Sequence, residues 1–255
     1  MGQLRKPFQG VANILRFNWH FYAIGVVVVM ALVLVAIFLI PKEFKTLFNI
    51  AILLAILNIS ASLIVSWYVY DYSELYELSW LDRLKLPKKA KVVNINAGFD
   101  ETSSLIKNKL KVSELKVLDF YDPNKHTEIS IKRARKAYPP YPNTMRIQTD
   151  SIPLGTDSID AALTVLSAHE IRDSEERSHF FKEVNRILKP GGNSIVVEHQ
   201  RDMPNMLAFG MGAFHFFSAK EWLKTFNSAG LEIKETFRIT PFITAYILEK
   251  NGNTP

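Results

Sequence analysis

The stretch KVVNINAGFDETSSLIKNKL, residues 91–110, decides the fold. It reads as a strand, a tight turn around Gly98, and a helix opened by Thr and Ser. A strand, turn and helix in that order is the first unit of a parallel α/β sheet, whose ligands bind at the carboxyl ends of the strands. The turn holds a single glycine, so the question is whether it still cradles a nucleotide-like ligand.

Downstream the alternation continues. LKVLDFY, MRIQ, DAALTVL and SIVVEH are short apolar runs that read as further strands. Asp122-Pro123 places a cap residue before a first-turn proline and is expected to open a helix over NKHTEISIKRARKAY, stopped by Pro139-Pro140. Asp173 and Glu176 form a capping-box pattern ahead of a helix whose apolar face is Phe180, Val184, Ile187 and Leu188, with KPGG after it. LEIKETFRI and ITAYILEK have no helix between them, so they pair antiparallel across a TPF link. The expectation is an open, mostly parallel α/β sheet with one reversed strand. No internal repeat or low-complexity tract interrupts it.

Upstream the composition is different. Residues 21–40 and 46–70 carry no charges, and each run is long enough at 1.5 Å per residue to span roughly 30 Å of hydrocarbon. An amphipathic helix of a soluble core would show a polar face, whereas Asn49, Asn58, Ser60, Ser62 and Ser66 are the only such interruptions of the second run. A signal peptide fits less well, because a second apolar run follows the first closely, and the start MGQLRK lacks the Ser or Thr of a myristoylation site. The short PKEFK connector makes the two runs an antiparallel hairpin. Arg5, Lys6 and Arg16 before it and Arg83, Lys85, Lys88, Lys89 and Lys91 after it outweigh Lys42 and Lys45, so both termini are expected in the cytoplasm.

The segments are therefore a cytoplasmic start over 1–20, a transmembrane hairpin over 21–70 and a juxtamembrane linker over 71–90, leading into a globular domain over 91–250. Trp67, Tyr68, Tyr70, Tyr72, Tyr76 and Trp80 are expected to sit as anchors at the membrane interface. With 255 residues and 48% hydrophobic content the chain has room for one α/β domain beside the hairpin. The net charge of +6 is scattered or juxtamembrane, which points to anionic lipid head groups and away from nucleic acid. The absence of cysteine agrees with a reducing compartment.

The series NINAGFDE, LDFYDP, TDSIPLGTDSIDAALTVLSAHE and FFKEVNRILKPGGNSIVVEH resembles the motif series of class I methyltransferases that use S-adenosylmethionine. It is most similar to the branch that includes the ubiquinone and menaquinone methyltransferases. RILKPGG is the most specific part and the glycine turn the least. The resemblance covers residues 91–250 and implies a seven-stranded, Rossmann-like methyltransferase sheet with one antiparallel strand, here preceded by two transmembrane helices. It also implies S-adenosylmethionine as cofactor and no metal.

Carried over by motif, the resemblance gives Asn96, Ala97 and Gly98 to the methionine and ribose end of the cofactor, with Asp100 beside them. Asp119, ending the second strand, would take the ribose hydroxyls. Asp150 would accept from the adenine amino group, with Ser151 and Ile152 beside the ring. Asp122 is better explained as a helix cap, and Asp160 as structural. The turn departs from the family: Asn94 replaces the usual acid, Asn96 the first glycine and Asp100 the third. Asn tolerates the left-handed region, so the turn can persist. Asp100 and Glu101 would repel a pyrophosphate at the helix N-terminus, which argues against a dinucleotide oxidoreductase.

On the acceptor side, His169 follows the fourth strand and His199 the fifth, while His215 sits in the apolar AFGMGAFHFF, which resembles a substrate-covering segment. Each has an unperturbed pKa near 6.5 and suits proton transfer at cytoplasmic pH; each could equally satisfy a local backbone bond. Arg201 and Asp202 orient one another or meet a polar head group, and the basic run over Lys132, Arg133, Arg135 and Lys136 reads as a solvated or lipid-facing helix side. Two functions remain: a membrane-anchored methyltransferase acting on a lipophilic acceptor, or a non-catalytic relative serving as a membrane scaffold. Oligomeric state is not legible.

Overall fold

The computed structural model describes residues 5–110 and 114–251. Seven strands form one sheet: β1 (Lys91–Asn96), β2 (Glu114–Asp119), β3 (Met145–Arg146), β4 (Ile159–Val165), β5 (Leu188–His199), β6 (Leu231–Thr240) and β7 (Ile243–Lys250). Their spatial order is β3-β2-β1-β4-β5-β7-β6, and β7 alone is reversed, antiparallel to both β5 and β6. The order turns back between β1 and β4, the crevice where ligands of such sheets collect. The expected seven-stranded sheet with one antiparallel strand is what forms.

Local chemistry sets the register. Asp160, near the start of β4, accepts from the Lys91 backbone N–H at 2.8 Å and from Lys189 Nζ at 2.7 Å, tying β1, β4 and β5 together near their starts. Asp173 Oδ1 accepts from the N–H groups of Glu175 and Glu176 and starts α5 (Ser174–Ile187). That helix buries Phe180, Val184 and Ile187 against one sheet face, alongside α7 (Ala219–Ser228) with Trp222 and Phe226.

The opposite face is covered by chain that the sequence reading assigned to the end of the second membrane run and to the juxtamembrane linker. Val69, Leu75, Leu78, Trp80, Leu81 and Leu84 are buried against Val92, Leu163, Ile195, Val197 and Ala245. Trp80 donates its indole N–H to the Leu75 carbonyl at 3.0 Å. Residues 74–84 run as short 3-10 turns and pack as domain core, so Trp80 and Tyr76 are not interface anchors; Trp67 and Tyr72 remain exposed. The aromatic content that suggested anchoring serves a sheet face that α3 (Ser103–Leu110) is too short to cover.

The hairpin is longer than its uncharged runs. Helix α1 spans Gln9–Phe38 and α2 spans Lys42–Trp67, so the connector shrinks to residues 39–41. Both are long and apolar enough to cross a membrane. Asn18 has non-helical backbone angles and kinks α1. Before the kink, Gly10, Asn13 and Phe17 are buried against the domain, whereas beyond it most large side chains are exposed. Arg133 donates to the Phe17 carbonyl at 2.6 Å, next to the kink. At its start, the N–H groups of Gly10 and Val11 both donate to the Asp71 carboxylate, at 2.6 and 2.8 Å.

One helix boundary differs from expectation. α4 spans Ile129–Ala137, and Asp122 does not cap it. Asp122 Oδ1 accepts from the Asn124 N–H, and its own N–H donates to His126 Nδ1, so this stretch closes as a turn and the helix begins three residues after the buried His126.

Candidate functional site

The first βα turn is built from side chains in place of glycines. Asn96 Oδ1 accepts from the Gly98 N–H at 2.9 Å, and Gly98 sits at φ +88, where a side chain is strained. Asn94 donates to Thr102 Oγ1 and Ser103 Oγ at 3.0 and 2.8 Å, fastening β1 to α3. Asp100 Oδ1 accepts from the N–H groups of Thr102 and Ser103, both at 2.9 Å, which caps α3. Thus the two asparagines and the aspartate hold the turn by side-chain bonds.

At the adjacent strand end, Asp119 is buried, with Oδ1 accepting from the Tyr121 N–H at 2.8 Å and Oδ2 from Arg135 Nη1 at 2.7 Å. Arg135 reaches over from α4, lies 4.3 Å above the Tyr121 ring, and fills the space beside Gly98, so a Cβ there would collide with its guanidinium. The basic run expected to be solvated or lipid-facing therefore sends Arg135 inward and Arg133 to α1. Asp150 and Ser151 are exposed in the turn after β3, and Ile152 is buried with its N–H donating to Glu183 Oε2 at 2.8 Å.

The fit to S-adenosylmethionine can be tested on atoms left over. Asn96 Nδ2 and Asp100 Oδ2 are buried around this turn without a hydrogen-bond partner. One is a donor and the other an acceptor, which is what an amino-acid end with a carboxylate and an ammonium requires. The Asp119 carboxylate can accept from two ribose hydroxyls once Arg135, a flexible side chain, swings away. The residues fit the group.

The first part of α1 closes over this turn, a contact that the sequence reading did not anticipate. Glu101 Oε1 accepts from Arg5 Nη1 at 2.8 Å and from Gln9 and Asn13 at 3.3 Å each, and Oε2 accepts from the Tyr76 hydroxyl at 2.9 Å. Burial would lower the Arg5 pKa, yet Tyr76 and Glu101 beside it raise it. Phe17, Phe99 and Tyr138 form an aromatic group next to it, with centroids 5.2 to 6.3 Å apart. The signal was present: Gln9 and Asn13 are four residues apart, on one helix face ahead of the apolar run.

The three histidines fall into two settings. His199 is buried and both its nitrogens are engaged: Asn205 amide donates to Asp202 and the Phe242 carbonyl, so its Oδ1 accepts from His199 Nδ1–H at 3.0 Å. That leaves His199 Nε2 to accept from the Tyr70 hydroxyl at 2.7 Å. Burial pushes His199 down to about 4, so it is neutral. His169 and His215 come together, with ring centroids 5.2 Å apart. His169 Nδ1 lies 2.6 Å from Glu198 Oε2, and Nε2 lies 3.5 Å from Glu170 Oε1. Burial would lower His169, but Glu198 and Glu170 raise it to about 10. His215 Nδ1 lies 3.5 Å from Glu128 Oε1. The reading missed Glu170 and Glu198, although a glutamate ending the apolar run IVVEH was there to see.

Above these strand ends lie α6 (Met203–Phe209) and a 3-10 turn, Gly210–His215. Met203, Leu207, Met211 and Phe214 are exposed, with Met211 at 82%. α6 packs on α2, and Gly210 passes so close to Asn58 that a Cβ would meet its amide oxygen at 2.9 Å.

Residues 121–196 match the family model described as a methyltransferase domain. No curated protein matches the chain. Among solved structures, the methyltransferase from Haloferax volcanii in complex with the Trm112 methyltransferase activator superposes with a TM-score of 0.55 at 15% identity, covering 73% of this chain and 93% of that one. A SAM-dependent methyltransferase from Aquifex aeolicus gives 0.50 at 16% identity over 70% and 93% of the two chains. An S-adenosylmethionine-dependent methyltransferase from Clostridium acetobutylicum gives 0.51 at 11% identity over 69% and 90%. At these identities the superpositions establish the fold, and the family match covers residues 121–196 of it. The chain carries a methyltransferase domain with the fold of the S-adenosylmethionine-dependent enzymes, and S-adenosylmethionine is the cofactor that this implies.

Proposed function

We propose that the protein is a membrane-anchored methyltransferase whose acceptor is a lipophilic small molecule. The observation that carries this reading is the position of the exposed apolar segment 203–214, packed on α2 beside the strand ends. An acceptor dissolved in the bilayer would meet Leu207, Met211 and Phe214 without crossing water. The bound cofactor supplies an electrophilic methyl group on a sulfonium. The chain's own residues would bind and orient: Asp119 the ribose hydroxyls, Asn96 and Asp100 the amino-acid end, and Asp150, Ser151 and Ile152 the adenine. His169 and His215 would line the acceptor side of the crevice. Both termini of the hairpin would then be cytoplasmic, as the flanking basic residues suggest.

The test is full-length protein in vesicles, supplied with methyl-labelled S-adenosylmethionine and the native lipid extract. Label in the organic phase supports the reading; label confined to water-soluble products overturns it. A second reading, the non-catalytic scaffold, is favoured by one observation: Arg135 occupies the cradle and neutralises Asp119. Calorimetry on the full chain separates the two, because a scaffold shows no saturable cofactor binding.

A further inference from the structure

We infer that His169, Glu170 and His215 bind a divalent transition-metal ion at the carboxyl ends of β4 and β5. One ligand atom from each residue lies within 4.8 Å of the others. Bonds of about 2.0 to 2.2 Å to a shared ion need only a modest contraction of that triangle. The two histidines come from separate loops, and Arg172 joins these by donating to the His169 carbonyl at 3.2 Å and the His215 carbonyl at 2.6 Å.

A second observation points to a ligand. Glu170 is 8% exposed, and its Oε2 is buried with no hydrogen-bond partner. A buried carboxylate oxygen left without a donor is costly, so a cation there resolves what the protein leaves open. Behind the site, Glu198 Oε2 holds His169 Nδ1 at 2.6 Å while Oε1 accepts from the N–H groups of Ser167 and His169 at 3.1 and 3.3 Å. A carboxylate on Nδ1 fixes the tautomer that frees Nε2 for an ion, the usual arrangement behind metal-bound histidine.

Charge leads the same way. Glu170 and Glu198 bring two carboxylates into a buried space, and Glu128 adds a third at the rim near His215, with Arg172 bonded to the backbone of both loops. A divalent ion gives the unpartnered Glu170 Oε2 a partner and offsets the carboxylates around it. Two imidazoles with a carboxylate suit Zn2+, Co2+, Fe2+ or Mn2+ better than Mg2+ or Ca2+. Under the methyl-transfer reading the ion would hold an acceptor oxygen; its binding does not rest on that reading.

The test uses the full chain in detergent, stripped with a chelator and titrated with Zn2+ by calorimetry and with Co2+ by visible absorption, without cofactor or acceptor. One saturable ion per chain is expected, with the d–d bands of bound Co2+. Glu170→Gln and His215→Ala should each weaken binding at least tenfold, and Glu198→Gln by ten- to a hundredfold. His179→Ala, an exposed histidine outside the cluster, should leave it unchanged. Thermal melts establish that each variant is folded, and Zn2+ should raise the melting temperature of the wild type more than that of Glu170→Gln. No saturable binding to the wild type overturns the proposal. So does unchanged affinity in folded Glu170→Gln and His215→Ala, whatever cofactor binding proves to be.

Discussion

The guanidinium of Arg135 donates to Asp119 at 2.7 Å from the very space that the absent Cβ of Gly98 leaves open. One side chain thus bonds the strand-end carboxylate and lies against the turn proposed to hold the cofactor. S-adenosylmethionine brings a sulfonium and an ammonium, so it meets a like charge until Arg135 leaves. Arg135→Ala is expected to tighten cofactor binding about tenfold, equivalent to ~1.4 kcal/mol. Calorimetry with S-adenosylmethionine measures it; a loss of affinity would make Arg135 a cofactor ligand instead of a competitor.

Asp119 and Asp122 are three residues apart but do different work. Asp119 ends β2 in the crevice, while Asp122 caps a turn through the Asn124 N–H at 2.8 Å. Asp119→Ala should therefore weaken S-adenosylmethionine binding by about 1.5 to 3 kcal/mol, the scale of a charged hydrogen bond. Asp122→Ala should lower stability by about 1 kcal/mol, the net worth of the turn's hydrogen bond, and leave affinity intact. Equal losses of affinity would remove Asp119 from the site.

The segment between hairpin and β1 sets where the domain can be cut. A fragment beginning at Leu84 loses Val69, Leu75, Leu78, Trp80 and Leu81, all buried on one sheet face. At about 1.5 to 3 kcal/mol for each large side chain, the loss rivals a domain's whole stability. Such a fragment should aggregate or show no cooperative melt. The shorter cut, removing residues 1–70 alone, should strip Arg5, Gln9 and Asn13 from Glu101 and Tyr70 from His199, so cofactor affinity should fall with it. A cooperative melt of the 84–255 fragment, followed by circular dichroism, would contradict this.

His199 makes stability depend on pH. Its folded pKa of about 4 lies below the ordinary 6.5, chiefly because it is buried, with His169 lowering it further and Asn205, Phe242 and Asp202 opposing. Between those values the unfolded chain binds a proton that the folded one does not, so the contribution of His199 is intact above pH 6.5 and declines toward pH 4, by about 3 kcal/mol. His126, also lowered by burial, acts in the same sense. His199→Gln keeps a donor for Asn205 and an acceptor for Tyr70 but cannot titrate. Its melting temperature should fall less than the wild type's between pH 7 and pH 5; parallel declines would place the acid sensitivity elsewhere.

What the sequence disclosed, and what it hid, divides along physical lines. A mostly parallel sheet with one reversed strand was legible because apolar runs alternate with helix signals and no helix lies between LEIKETFRI and ITAYILEK, whereas the order of the strands leaves no mark in the sequence. The helix boundary at Ile129 was not, because the bond from the Asp122 N–H to His126 Nδ1 competes with helix geometry only once the chain is folded. Trp80 and Tyr76 were misassigned for a related reason: aromatic side chains next to an apolar run suit a bilayer interface and a sheet face equally well. Long-range pairings such as Arg5 with Glu101, or Arg135 with Asp119, leave no periodic trace at all.

The apolar segment over the strand ends gives the sharpest test of how an acceptor arrives. Leu207 and Met211 are exposed at 70% and 82%, and neither lies among the residues assigned to the cofactor. If they meet acceptor through the bilayer, a charge there opposes docking of the segment into hydrocarbon, at a cost of up to about 2.5 to 3.5 kcal/mol for a fully embedded side chain. Leu207→Asp and Met211→Asp should therefore each lower turnover of vesicle-embedded acceptor at least tenfold. Cofactor affinity should stay unchanged, since the contacts at Gly98 and Asp119 come from β1, β2 and α4. Acceptor dispersed in detergent should restore much of the lost rate, because it no longer has to be drawn from a bilayer. Full turnover of vesicle-embedded acceptor by both variants would separate the segment from acceptor delivery and leave the hairpin as an address alone.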